Sequence, residues 1–282
     1  MRSDYVARYG LDLVIPVFLI LLAEFLIFIG NVSIAMPIHA LNLVLLTLFS
    51  IYINNKVFPA LMLLPLFRLI NVAMPVFFNL TLYSYFMVYA PMFIPMYYLI
   101  KEGFLGRSEA GLTFKGFWFY LPLAVSVGFI LGWGEYNVIH PQLLTPGTHI
   151  KDVLILIATM IFFVGFVEEF IFRSSLQTVL VERLGPKAGL VAASVIFGFM
   201  HSGYHLPLEL LYVSFAGVVF GLLFWLTKSL PVISLAHGVT NISLFLITPL
   251  DPGILVYLII IPIILFAIYV YVLKKNPGII GG

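Results

Sequence analysis

Residues 153–173 read VLILIATMIFFVGFVEEFIFR, an apolar run that ends by placing Glu168, Glu169 and Arg173 where a membrane helix keeps its hydrocarbon. An ionisable side chain near a bilayer centre costs at least ~2.5 kcal/mol on insertion scales, so three within six positions need a reason. Later apolar runs repeat the anomaly with His201, and with His237 followed by Asn241. Polar glue between helices is one reason and chemistry is the other.

Composition settles that these runs lie in lipid. Of 282 residues, 62% are hydrophobic and 9% are charged, and mean hydropathy is +1.14. A soluble domain carries about 25% charged residues, so the surface of this chain does not face water. The absence of Cys excludes a thiol nucleophile, thiolate ligands and disulfides. A net charge of +2 gives no electrostatic footprint for nucleic acid.

Ten apolar runs stand between breakers, near 11–30, 38–53, 57–73, 78–100, 116–134, 150–180, 187–202, 207–227, 230–248 and 253–273. A helix needs ~20 residues to cross the hydrocarbon, which makes the second, third and seventh short. The runs are continuous and show no strand alternation. The expected fold is an all-α, polytopic transmembrane bundle of about 8–10 spans. With both termini cytoplasmic, Arg2, Arg8, Lys56, Lys101, Arg107, Lys115, Arg183, Lys187, Lys228, Lys274 and Lys275 fall inside, and only Lys151 marks an outer boundary. That asymmetry follows the positive-inside rule. The chain reads as one integral membrane domain, 1–282. Residues 1–115 supply N-terminal spans of unassigned role, and 116–282 hold the motifs at 168–173, 197–201 and 237–241. The Asn-x-Ser/Thr triplets at Asn31, Asn79 and Asn241 read as chance matches, the last two in or beside spans.

The depths of the polar residues agree. Gly185-Pro186 reads as a tight inner turn, one helix ending at the glycine and the next opening at the proline. Glu168 and His201 lie equally far from its centre, roughly 20–25 Å at ~1.5 Å per residue. Asn241 reaches about 20 Å from the inner loop at Lys228, with His237 one turn nearer the cytoplasm. Offsets within the helices also carry meaning. Glu169 and Arg173 are spaced for an intrahelical ion pair, which leaves Glu168 rotated ~100° away. His237 with Asn241, and Phe197 with His201, share that four-residue spacing. Phe197 is expected to wall the site and keep water scarce around His201.

Three motifs carry a family resemblance. Glu168-Glu169-Phe-Ile-Phe-Arg173 resembles the EExxxR motif of the CAAX prenyl protease and bacteriocin-processing family of intramembrane glutamic endopeptidases. Phe197-Gly-Phe-Met-His201 resembles its FxxxH motif, and His237-Gly-Val-Thr-Asn241 its HxxxN motif. The likeness covers about residues 150–248. It implies hydrolysis of a peptide bond near the C-terminus of a lipidated, CAAX-type prenylated or membrane-embedded protein, as in the Ras-converting enzymes. Under it Glu168 is the general base and His201 holds the water. His237 and Asn241 form the oxyanion hole, with Glu169 and Arg173 as support. The gap from His201 to His237 is shorter than in the eukaryotic branch, which bears on prenyl specificity. The substrate and membrane lipid are the expected partners, with no nucleic acid and no cofactor.

Other readings stand beside this one. Glu168, His201 and His237 are also zinc-ligand types, so a metal-dependent version of the hydrolysis is the alternative, though no HExxH is present. A non-catalytic immunity or scaffold protein binding a partner helix is a second. A transporter is disfavoured because no matching halves occur. For Glu24, His39, Arg68 and Glu209 the simpler reading is glue between helices. His140, His149 and His205 read as solvated loop residues. Gly217 and Gly221, four apart, mark a close helix contact.

Overall fold

The computed structural model describes residues 11–53, 55–77, 81–82, 84–145 and 147–275; Arg2, Arg8 and Asn79 lie outside them. Among the described residues all regular structure is helical, and each apolar run forms helix where it is described. These are α1 (Leu11–Phe28), α2 (Val32–Tyr52), α3 (Val57–Phe77), α4 (Ser84–Tyr89), α5 (Phe93–Lys101), α6 (Phe117–Ile139), α7 (Ile150–Leu184), α8 (Pro186–Phe199), α9 (Pro207–Thr227), α10 (Leu230–Leu250) and α11 (Ile254–Lys275). Six of them, α2, α6, α7, α9, α10 and α11, are long and apolar enough to cross a membrane by themselves. The molecule is an all-α, polytopic helical bundle of an integral, multi-pass membrane protein.

Two runs depart from a single straight span. The run near 78–100 breaks into α4 and α5 around a 3₁₀ turn at Ala90–Met92, where Pro91 removes a backbone donor. α8 is only 14 residues long and stops at Phe199, so His201 sits on the turn after the helix rather than within it. The chain there prepares for Pro207, passing through His205 with φ 55°. Gly185, at φ 83°, makes the sharp α7–α8 turn, and Pro186 opens α8 as its spacing predicts.

Loops that the positive-inside reading placed together do meet at one end of the bundle. Lys56 Nζ donates to Glu182 Oε1 at 2.6 Å and lies 3.5 Å from Glu109 Oε1, while Arg183 pairs with Asp12. The 102–116 loop joins them, since Leu230 N–H donates to Gly111 O and Ser229 Oγ–H to Thr113 O, both at 2.7 Å. At the other end Leu144 N–H donates to Phe245 O, and His205 Nδ1 sits 2.8 Å from Phe28 O. His140, His149 and His205 are exposed, as expected.

α10 is the axis of the bundle. In its most apolar window 78% of residues are buried, against 6% for α11, whose Ile, Leu and Tyr side chains turn outward as a lipid-facing surface does. α7 approaches α10 along a seam that admits no side chain. A Cβ on Gly165 would stand 2.6 Å from Ser234 O, and one on Gly238 would stand 2.7 Å from Ile161 Cα. Gly217 and Gly221 bring α9 onto Ser194 and Leu190 of α8 in the expected close contact. Backbones this near to one another hold the polar residues of α7 and α10 in fixed register.

Candidate active site

α7 supplies the first side chains. Its hydrogen-bond ladder widens into π-helical turns at Thr159–Gly165 and Phe170–Gln177, leaving one α-helical turn, Phe166–Glu169, between them. π turns recur at functional sites because they shift side chains out of the regular stripe. Glu168 and Glu169 fall on that intervening turn and diverge, as their one-residue spacing requires.

Glu169 is fully buried and works inward. Its Oε2 accepts from Arg173 Nε at 3.0 Å, the expected ion pair, and its Oε1 accepts from His237 Nδ1 at 2.7 Å. Arg173 is buried as well. Its guanidinium carbon lies 4.6 Å from the Phe197 ring centroid, while Nη1 and Nη2 find no hydrogen-bond partner among the described residues. Stacking on an aromatic face offsets part of that loss.

Glu168 turns the other way, into a cavity of about 340 Å³ that it lines with His201, His237 and Asn241. Its Oε1 accepts a 2.5 Å hydrogen bond from Tyr89 Oη. Its Oε2 stands 3.8 Å from His237 Nε2, too far for a direct hydrogen bond. His201 donates Nδ1–H to Phe197 O at 3.0 Å, the partner that fixes its tautomer and leaves the Nε2 lone pair open. The Asn241 amide has no hydrogen-bond partner among the described residues and faces the cavity. The four residues expected to carry chemistry thus surround one cavity, although they come from α7, the turn after α8, and α10.

Phe197 does not wall that cavity. It packs behind the site, with ring-centroid distances of 5.0 Å to His201, 5.9 Å to His237 and 4.8 Å to Phe172. Phe220 stacks on His237 at 5.1 Å. The sequence spacing placed Phe197 beside His201 correctly, but its direction depended on Arg173, which covers its face.

The opposite wall was not foreseen. Phe67, Arg68 and Asn71 of α3 and Tyr85 and Tyr89 of α4 complete the cavity. The expected glue among Glu24, His39 and Arg68 is present. Glu24 accepts from Arg68 Nε and Nη2, each at 2.7 Å, and from Ser202 Oγ at 2.6 Å, with His39 Nε2 at 3.2 Å. Arg68 also donates to Met200 O. The glue reading is incomplete for Arg68, because the same side chain lines the cavity. Glu209 is buried within hydrogen-bonding reach of Glu135 of α6, which lines the cavity. Nothing local in the sequence marks Tyr89 or Arg68 as neighbours of Glu168, since they lie 79 and 100 positions away.

The zinc alternative requires Glu168, His201 and His237 to converge on one point. Among the described residues no three His, Asp or Glu side chains form a group that could hold a metal ion.

Residues 150–243 match the family described as type II CAAX prenyl endopeptidase Rce1-like, the segment that contains all three motifs. The fold and this match define the class: a multi-pass helical membrane protein, a third of which matches the Rce1-like family. No curated protein and no solved structure matches the chain.

Proposed function

We propose that this protein is an intramembrane endopeptidase that hydrolyses a peptide bond near the C-terminus of a lipidated, CAAX-type protein, using a water activated by Glu168. The observation that carries the reading is the divided environment of Glu168. One carboxylate oxygen is fixed by Tyr89, and the other is free toward His237 in a cavity shared with His201 and Asn241.

Each residue then has a task. Glu168 Oε2 and the open Nε2 of His201 accept the two hydrogens of one water, aiming its oxygen lone pair at the scissile carbonyl carbon. As the C–O bond forms, Glu168 takes the proton and the carbonyl oxygen becomes an oxyanion. Asn241 Nδ2–H donates to that oxyanion, and His237 in its imidazolium form donates Nε2–H. Glu169, held by Arg173, accepts from Nδ1 and balances the charge, so its part is to orient the ring. Protonated Glu168 then gives its proton to the departing amine nitrogen as the C–N bond breaks, which restores the carboxylate. General base action is commonly worth 10²–10⁴-fold and a single oxyanion donor ~10²–10³-fold.

The depth of the site supports a substrate already anchored in the membrane, and the clustering of basic loops at one end supports a cytoplasmic approach. The test is cleavage of a fluorogenic farnesylated CAAX peptide by purified protein in detergent, with wild type and Glu168→Gln, before and after chelation. Cleavage that disappears in the variant and survives chelation is the expected result. Loss of activity on chelation, with recovery on adding zinc, would overturn the metal-free route.

A further inference from the structure

We propose that Arg68 is the receptor for the substrate's free C-terminal carboxylate; the inference rests on the endopeptidase reading and names the end of the chain that the cavity selects. Apart from His237 and Asn241, which the proposed mechanism commits to the oxyanion, the cavity offers little to an anion. Its described lining includes the carboxylates of Glu135 and Glu168, and Arg68 is the sole guanidinium or ammonium group among the described lining residues. A carboxylate moved from water into such a site needs donors, and an acid placed beside Glu135 or Glu168 is repelled.

Arg68 is 6% exposed, and three hydrogen bonds fix its guanidinium plane. Nε and Nη2 form a two-point pair with Glu24, Nη2 also donates to Met200 O, and Ser202 steadies the far oxygen of Glu24. Nη1 has no partner among the described residues. It is therefore a pre-oriented donor on a cavity-lining side chain, and a charge-assisted hydrogen bond is the strong kind. Asn71, one turn further along α3, lines the same wall.

The reach fits as well. Met200, which accepts from Arg68, is the residue before His201, so the guanidinium stands within roughly 10 Å of the His201 ring. Three extended residues span about 10 Å at ~3.3–3.6 Å each. A carboxylate held at Arg68 thus leaves a bond up to three residues upstream within reach of Glu168 and His201. Arg68 acts as a measuring stop for the cut, and the N-terminal helices contribute recognition while the C-terminal ones contribute chemistry.

The test compares two farnesylated CAAX peptides that differ only in ending as a free acid or a primary amide. Binding to Glu168→Gln protein is read by fluorescence anisotropy and cleavage is read with wild type. The acid is expected to bind and to be cleaved about ten- to hundredfold better than the amide, the range of one charge-assisted hydrogen bond. In Arg68→Met the acid-to-amide ratio falls to about one, and a ratio measured within one preparation does not depend on how much protein is active. If Arg68→Met does not purify folded, Arg68→Lys keeps the charge at Glu24 and should still lower the ratio severalfold. Equal handling of acid and amide by wild type overturns the inference and leaves the endopeptidase reading intact. Failure to bind or cleave either peptide overturns both.

Discussion

Two buried charge clusters face each other across the cavity, and their chemistry is nearly the same. On one side Glu169 joins Arg173 and His237, with Glu168 projecting forward; on the other Glu24 joins Arg68, His39 and Ser202. The first is built mostly from neighbours on α7, four residues apart, and ends in a carboxylate with an unengaged oxygen. The second joins residues 44 and 178 positions apart and ends in a guanidinium with an unengaged nitrogen. One cluster presents a carboxylate to the cavity and the other presents a guanidinium. A buried ion pair is thus glue or machinery according to which atom it leaves unpaired.

The sharpest way to break this comparison is to neutralise one carboxylate in each cluster. Glu168→Gln should lower kcat/KM on the farnesylated peptide by 10²–10⁴-fold or more, with thermal unfolding in detergent unchanged. Glu24→Gln should do the opposite. It leaves Arg68 without its countercharge in a buried position, at a cost of about 3–5 kcal/mol in stability, and so lowers the yield of folded protein before it lowers turnover. A Glu24→Gln protein with wild-type stability and no activity would erase the division between the clusters.

The next effects separate groups on opposite walls of the cavity. Asn241→Ala removes one oxyanion donor and should reduce kcat by ~10²–10³-fold while KM changes little. A proportional rise in KM with kcat preserved would instead make Asn241 a binding residue. Tyr89→Phe should be milder, at roughly tenfold in kcat/KM, since it deletes one hydrogen bond to a charged group and leaves the ring packing in place. Steady-state kinetics on the same peptide measure both.

The smallest expected effect lies outside both clusters. Lys56 bridges Glu109 and Glu182 at the loop end of the bundle, with its side chain a third exposed. Lys56→Ala should cost no more than ~1 kcal/mol of stability and leave peptide cleavage unaltered, because exposed pairs gain little over hydration. A large loss of activity there would show that loop packing controls the cavity.

Local spacing made much of this legible. The Glu169–Arg173 pair, the His237–Asn241 stripe and the Gly185-Pro186 turn are all relations within one or two helical turns, where geometry is nearly fixed by residue count. Matching distance from loops at one end of the bundle was legible too, because a membrane forces helices to return to the same two planes. Side-chain direction was not, as Phe197 shows by packing behind the site instead of lining it. The end of α8 before His201 was also hidden, since an apolar run does not reveal where its hydrogen bonds stop.

By itself the sequence determined that the chain is a helical membrane protein and that Glu168, His201, His237 and Asn241 belong to one level of it. Hydrophobicity and periodicity are properties of single segments, and they need no knowledge of neighbours. Only the tertiary structure decided that α10 is the axis and α11 the rim, that Tyr89 donates to Glu168, and that Arg68 lines the cavity. Those facts depend on which helices touch, and apolar surfaces in lipid are too alike for hydropathy to specify their partners; close-packed glycines and buried charge pairs do so, and they act only once the chain has folded.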